Sequence, residues 1–295
     1  MRQSTIPGWL SLSAGALGLL IIAGGVALVG CGSSSSTKAT ALNISISEKG
    51  KAASFTAPKS AKGGLVDVTF KNNGKAPHGV QFIQYTGSHT FADVQKQLGS
   101  NSKKVPSWLK AQGGTPPISG GKSGKATLNL DAGNYVVLDA IGPGGSSSGP
   151  PATAQMKVTS GDTGDLPSTA ATVTANHTGK DKYAWDISGL KSGANQITFN
   201  SKGNDALHLI AAVPVKGKAP SLAKIRSDFA KAGNGPPPPY INSQPQTTAI
   251  LDGGKSQTTN LDLKPGQYIF FCPLTDRDGG KSHDQEGLLK VVTVK

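Results

Sequence analysis

The chain has 295 residues, with 30 Lys and Arg against 17 Asp and Glu, a formal net charge of +13 at pH 7. The positive charge is mostly scattered lysine in Gly-, Ser- and Asn-rich segments, with no arginine-rich stripe interleaved with aromatics, so nucleic acid is not read as a partner. A diffuse field of this sign suits anionic partners and lipid surfaces, or is a solvated lysine-rich surface and nothing more. Aromatic residues make up only 5%, so any core is expected to be built from Val, Ile and Leu.

The first element in chain order is a leader, residues 1–30. It has one cation, Arg2, and then a long run of apolar and small residues, the pattern of a secretory signal. Its end, Leu28-Val29-Gly30-Cys31, resembles a bacterial lipobox, in which the cysteine becomes the lipid-modified first residue of the mature protein. The run from Leu10 to Val29 also approaches the ~20 residues that span a bilayer, so an uncleaved anchor is the alternative. Either way the body of the protein is expected outside the cytoplasm, on the exterior face of a membrane in the cell envelope. The segment 31–40, containing "SSSSTKAT", reads as a flexible tether.

The remainder of the chain is long enough for two ordinary domains, and it repeats itself. "VDVTFKNNGKAPHGVQFI" (Val66 to Ile83) has a counterpart in "NQITFNSKGNDALHLIAAV" (Asn195 to Val213). "KATLNLDAGNYVVLDA" (Lys125 to Ala140) matches "TTNLDLKPGQYIFFCP" (Thr258 to Pro273). Two such blocks in one order predict two similar domains, 41–159 and 168–295, joined by the polar linker "SGDTGDLPS" (Ser160 to Ser168).

Within each copy the elements are short and β-rich. Val66, Val68 and Phe70 alternate with polar residues, as do Ile197 and Phe199, Leu128 and Leu130, and Leu261 and Leu263. Turn sequences such as "NNG", "DAG" and "KPG" bound these runs. One helix interrupts each copy. Phe91, Val94 and Leu98 have helical spacing, with Thr90 and Asp93 placed as a capping pair; Leu222, Ile225 and Phe229 repeat the spacing. Many short strands with regular turns predict an all-β fold of two tandem Greek-key sandwiches, each with a short helix.

Cysteine usage carries the chemistry. Cys31 and Cys272 are the only two. If Cys31 carries lipid, Cys272 has no disulfide partner in its domain, and an unpaired thiol outside the cytoplasm is reactive, intermolecular, metal-bound or buried and inert. The segment around it, "LKPGQYIFFC" followed by His283 and "GLLKVVTV", resembles the carboxy-terminal third of cupredoxins, the plastocyanin-like blue-copper family. Gly266, Tyr268, Cys272, His283, Gly287 and Leu288 occupy the family's turn, tyrosine, thiolate, imidazole, glycine and axial positions. His208 fits the upstream histidine, and His78 in "NNGKAPHGVQF" fits the same position in the first copy.

The resemblance implies one copper ion held by His208, Cys272 and His283, with Leu288 at the axial position and non-coordinating. Two imidazoles and a thiolate with a weak or absent axial donor suit copper cycling between its two oxidation states. Gln285 and Glu286 are alternative axial donors. The sequence departs from the family in three places: a longer loop between Cys272 and His283 than in plastocyanin or azurin, Leu288 for the usual methionine, and a charged, flexible-looking loop "DRDGGKSHDQEG". In the first copy Asp139 stands where Cys272 stands in the second, and "IGPGGSSSGPP" lacks a histidine. His78 is therefore expected to be structural and the first domain copper-free; His89 and His177 lie outside the pattern.

The resulting expectation is a lipid-anchored exterior cupredoxin-like protein that transfers electrons or handles copper, with a redox or copper-donor protein as partner. A metal-free β-sandwich interaction module of the cell surface is the rival. No enzyme is expected. Copper oxidases and nitrite reductases need a second centre built from histidines flanking the cysteine or from His-x-His pairs. Phe271 precedes Cys272, and the five histidines form no such pair.

Overall fold

The computed structural model describes residues 37–50, 52–100, 102, 104–140, 151–203, 206–233, 235–241 and 243–295. The leader, Cys31 and most of "IGPGGSSSGPP" lie outside the described residues. Among those described, no helix is long and apolar enough to cross a membrane.

The chain is mostly β. One eight-stranded sheet runs through both halves, in the spatial order Lys182–Ser188, Ala171–Gly179, Gly193–Ser201, Ser256–Leu263, Ser123–Leu130, Gly64–Asn72, Thr40–Lys49, Ala52–Thr56. The order is a palindrome in which each half contributes the same four-strand unit. In each unit a hairpin (Thr40–Lys49 with Ala52–Thr56, or Ala171–Gly179 with Lys182–Ser188) pairs in parallel with the next long strand. That strand then pairs antiparallel with Ser123–Leu130 or Ser256–Leu263. The two units meet through only two residue pairs, Gln257 with Leu128 and Thr258 with Thr127.

The alternating residues face inward as their period requires. Val66, Val68 and Phe70 are fully buried in one apolar cluster with Leu42, Ile44, Leu128, Leu130 and Tyr135. Ile197, Phe199, Leu261 and Leu263 do the same in a second cluster, drawn wholly from residues 171–294. Aliphatic side chains dominate both, as the composition requires.

A second layer covers each inner face. In the first half it contains His78–Tyr85, Leu109–Ile118, Gly133–Asp139 and Thr153–Thr159; in the second, Ala211–Pro214, Gly266–Phe271 and Leu289–Val294. Both halves carry a tyrosine bonded four residues back along the chain. Tyr135 Oη donates to the Asp131 carbonyl at 2.8 Å, and Tyr268 Oη accepts from the Lys264 amide at 2.9 Å. These bonds fix the corners that feed the strands ending at Asp139 and at Cys272.

The helices fall where their spacing predicts, at Phe91–Leu98 and Leu222–Ala232. Thr90 and Asp93 close a reciprocal capping box, satisfying two amides that the first turn leaves open. Ile225 is fully buried and Phe229 packs edge-on against Phe271, ring centroids 4.9 Å apart, whereas Leu222 at the start of the stripe is exposed. The second helix therefore braces the strand that delivers Cys272.

Because the two apolar clusters share no residues, small deletions in them should act independently. Ile44→Val and Ile197→Val are each expected to cost about 0.5–1.5 kcal/mol. In urea unfolding their effects should add to within about 0.5 kcal/mol in the double variant.

Candidate metal centre

Three distant segments meet at one end of the second half. His208 closes the two-residue strand Leu207–His208, paired with Leu251–Asp252. Cys272 follows directly on Gly266–Phe271. His283 is returned to the same place by a loop held on its own backbone: its amide donates to the Leu274 carbonyl at 2.7 Å, and its carbonyl accepts from the Leu288 amide at 2.7 Å. The Asp284 amide bonds the Cys272 carbonyl at 2.9 Å, and the Cys272 amide bonds the Leu288 carbonyl at 3.1 Å.

The result is convergence. His208, Cys272 and His283 are each 0% exposed, and one ligand atom from each lies within 4.8 Å of the others. Nδ1 of His208 is 3.1 Å from Nδ1 of His283, which is 3.6 Å from the Cys272 sulfur. Ligands bonded to a transition ion at about 2.0–2.3 Å, spread around it in a trigonal plane, lie roughly 3.5–4 Å apart. The 3.6 Å sulfur–nitrogen spacing falls in that range and the 3.1 Å spacing of the two imidazole nitrogens lies below it, so an ion would seat by a small parting of the rings; the three side chains can hold a metal ion. Among the described residues the buried Nε2 of His208 has no hydrogen-bond partner, so a ligand at Nδ1 faces no competing bond there that would turn the ring.

Burial sets the protonation of all three. Removal from water pushes His208 down to about 3, and the neighbouring His283 pushes the same way. Burial also lowers His283, opposed by its bond to Asp276. Both rings are therefore neutral at neutral pH, the form that ligates a metal. Burial pushes the Cys272 thiol up to about 12, against hydrogen bonds from the backbone at Leu209 and Leu274 that favour the thiolate. Without a cation the sulfur stays protonated; a bound ion supplies the charge that ionises it.

The structure adds partners that local sequence did not point to. Asp276 Oδ1 lies 3.1 Å from Nε2 of His283 and accepts the Tyr183 hydroxyl at 2.7 Å. A carboxylate on Nε2 places the proton there and turns the Nδ1 lone pair toward Cys272. The Tyr183 ring packs on both imidazoles, centroids 4.5 Å from His283 and 5.3 Å from His208, and stacks on its outer side against His177 at 5.0 Å. Gly287, at φ 128°, allows this approach, since a Cβ there would meet the Tyr183 carbonyl at 2.0 Å.

Leu288 is fully buried in the same cluster as Cys272 and brings no donor atom. The Gln285 amide nitrogen is engaged away from the three donors, bonding the Arg226 carbonyl at 3.1 Å and Asp284 at 2.8 Å. Glu286 groups with Asp276 on the Nε2 side of His283 rather than with Cys272. The loop expected to be flexible is instead structured. Thr275–Asp276 pairs with Gly279–Ser282, and Arg277 and Asp284 are buried. Asp276, Arg277 and Asp284 of this loop are internal partners, which composition alone reads as solvation, while Asp278 and Lys281 stay exposed.

The corresponding place in the first half is built differently. His78 is fully buried between two carboxylates, its Nδ1 2.7 Å from Asp139 and its Nε2 2.8 Å from Glu48. Glu48 also accepts the Ala76 amide at 2.8 Å. Both ring nitrogens are engaged, and an acid stands where the second half has a thiol. His89 stacks on Trp108 at 4.0 Å, away from either place.

No protein-family model matches the chain, and no curated protein does. Solved structures do. A dithionite-reduced auracyanin from the photosynthetic bacterium Roseiflexus castenholzii is 24% identical, covering 43% of this chain and 99% of its own, at a TM-score of 0.28. Auracyanin A from Chloroflexus aurantiacus, described as a "blue" copper protein, is 19% identical over 40% of this chain and 99% of its own, at a TM-score of 0.28. A blue copper oxidase from Nitrosomonas europaea is 14% identical over 87% of this chain and 86% of its own, at a TM-score of 0.22.

Two measurements check the protonation of these side chains. In metal-free protein Cys272 should resist alkylation by iodoacetamide at mildly alkaline pH and react at once on unfolding, because the buried thiol is not ionised. In the first half the two carboxylates raise the pKa of His78 against the opposing effect of burial. A raised folded pKa contributes stability that is fully present below the unfolded value of about 6.5 and is lost as pH climbs through the folded value. Thermal unfolding followed from mildly acid to alkaline pH should show this loss, and His78→Gln should flatten it.

Proposed function

We propose that this protein is a membrane-tethered, extracytoplasmic cupredoxin-like protein of two tandem domains, 41–159 and 168–295. In this reading the second domain holds one copper ion through Nδ1 of His208, the sulfur of Cys272 and Nδ1 of His283. Leu288 occupies the axial place without coordinating. The tether is a lipid on Cys31, and the role is one-electron transfer or copper handling with a protein partner. The first domain binds no copper, because both nitrogens of His78 are bonded and Asp139 replaces the thiol. The observation that carries the reading is the meeting of three buried donors from three separate segments within 4.8 Å.

The donor set favours copper among transition metals. The thiolate is soft and suits the reduced ion, imidazole suits both oxidation states, and the axial side chain offers nothing. Bound copper would supply a single-electron couple. The chain's contribution is to hold the donors where they already stand. Asp276 accepts the Nε2 proton of His283 and makes that ring a stronger donor. Tyr183 and Leu288 exclude water. Because the donors sit on strands and on a loop fixed by its own backbone bonds, little has to move when the charge on the ion changes.

We infer no catalytic activity, since neither a His-x-His pair nor a histidine beside Cys272 exists to build a second copper centre. The test is copper titration of the purified full chain. One equivalent of Cu(II) should give an intense visible thiolate-to-copper band, absent in Cys272→Ala. No band and no bound copper would leave a metal-free β-sandwich module. Asp276→Asn should raise the reduction potential of the bound copper, because an amide accepts the Nε2 proton more weakly and favours the oxidised ion less. Potentiometric titration of the band measures this shift.

A further inference from the structure

We propose that Arg277, paired with Asp252, is a positioning residue that clamps the ligand loop onto the first half of the chain. The clamp's function rests on the copper reading above; its structure rests on contacts independent of that reading. Arg277 lies on the loop between Cys272 and His283, yet its side chain is only 8% exposed. Two of its three side-chain partners lie in the other half. Nη1 donates to the Pro106 carbonyl at 3.1 Å and to the Leu109 carbonyl at 2.9 Å, while Nη2 pairs with the carboxylate of Asp252. The backbone joins in, with the Val105 amide donating to the Arg277 carbonyl at 2.8 Å.

Asp252 completes the device. Its other oxygen accepts the Ala111 amide of the first half at 3.1 Å. In the short ladder that holds His208, Asp252 stands opposite Leu207 and Leu251 opposite His208. On its other side Leu251 pairs with Gln112 of the first half. One buried ion pair thus joins the strand of the first histidine, the loop of the second, and the edge of the other half.

The physics gives such a pair one acceptable geometry. Guanidinium and carboxylate taken out of water are compensated only while their fork of bonds is intact, and moving either leaves a buried charge unpaired. Arg277 directly follows Asp276, the acceptor for Nε2 of His283. Fixing the guanidinium therefore fixes the carboxylate that orients the ring. A long, charged loop, which in water would sample many positions, is held in the one that presents His283 to Cys272. The half without a thiol thereby serves as the anvil against which the ligand loop is closed.

The test compares full-length wild type with three variants. Arg277→Met combined with Asp252→Asn removes both charges together and avoids stranding one. Arg277→Lys keeps the charge and loses the fork. Lys255→Ala removes a different contact between the halves, the 2.6 Å pair with Asp131, which does not touch the loop. Two rates are read: copper loss to excess chelator from loaded protein, and iodoacetamide labelling of Cys272 in metal-free protein under native conditions.

Copper loss should speed up about 10–100-fold in the double variant, the range for lost outer partners of a metal ligand, and the labelling rate should rise with it. Both rates should rise in Arg277→Lys as well, and stay at wild-type values in Lys255→Ala. Wild-type rates in a folded double variant would overturn the clamp; if that variant does not fold, wild-type rates in Arg277→Lys would do so. A rise in Lys255→Ala equal to the others would also overturn it, by showing that any loosening of the halves is enough. If wild type gives no thiolate-to-copper band, the copper reading fails, and the labelling rates alone still decide the clamp.

Discussion

A thiol and two imidazoles cannot be taken out of water without something to do. Each buried polar group must find a partner or lose the free energy of its hydration. At the end of the second half these three find each other, with Asp276 on His283 and the backbone at Leu209 and Leu274 on the sulfur, beneath Tyr183 and Leu288. The rest of the structure follows from holding that arrangement. Helix Leu222–Ala232 backs the cysteine strand through Phe229 and Phe271. The tyrosine corner at Tyr268 sets the start of that strand, and Gly287 lets Tyr183 press against the returning loop. The site is polar atoms facing inward from an apolar frame, which is the condition under which their protonation can be dictated by burial.

The first half shows the same geometric problem solved with different chemistry. At the end of its matching strand stands Asp139 rather than a thiol, and its histidine is gripped from both sides by carboxylates. The imidazole there is favoured as a cation, whereas in the second half burial keeps both imidazoles neutral. The matching places thus hold an ionic knot in the first half and an inward-facing donor set in the second. The knot is made by Asp139 and Glu48 on His78, where the second half has Cys272 and His283 about His208.

Much of this is legible in the sequence because it is periodic or local. The alternation at Val66, Val68 and Phe70 and at Ile197 and Phe199 predicts the buried faces, and Thr90 with Asp93 predicts the capping box. The spacing Cys272, His283, Gly287, Leu288 points to the loop that brings two donors together, and His208 is found through the repeat. Illegible are the groups whose partners lie far along the chain. Tyr183 reaches Asp276, Asp252 reaches Arg277, and Arg277 reaches Pro106 and Leu109; none of these pairs has a spacing or period to announce it. The loop "DRDGGKSHDQEG" misleads for the same reason. Its charges signal exposure only if they lack partners, and Asp276 and Arg277 find theirs at Tyr183, Asp252 and the Pro106 and Leu109 carbonyls. The continuous sheet is likewise beyond reach, since two residue pairs at its centre leave no pattern in either half.

The solitary thiol also sets an order of events for the newborn chain. While Gly266–Phe271 is unfolded, Cys272 has an ordinary thiol pKa and nothing covers it, so in an oxidising medium it is exposed to sulfenic acid formation and mixed disulfides. Folding withdraws it from that hazard before any ion arrives, because the surrounding strands alone make the sulfur inaccessible and un-ionised. Wherever the medium is oxidising, maturation is a race between folding and oxidant. A sulfenic acid or mixed disulfide formed at that atom needs a reductant from outside to return it to thiol, since among the described residues Cys272 is the one cysteine.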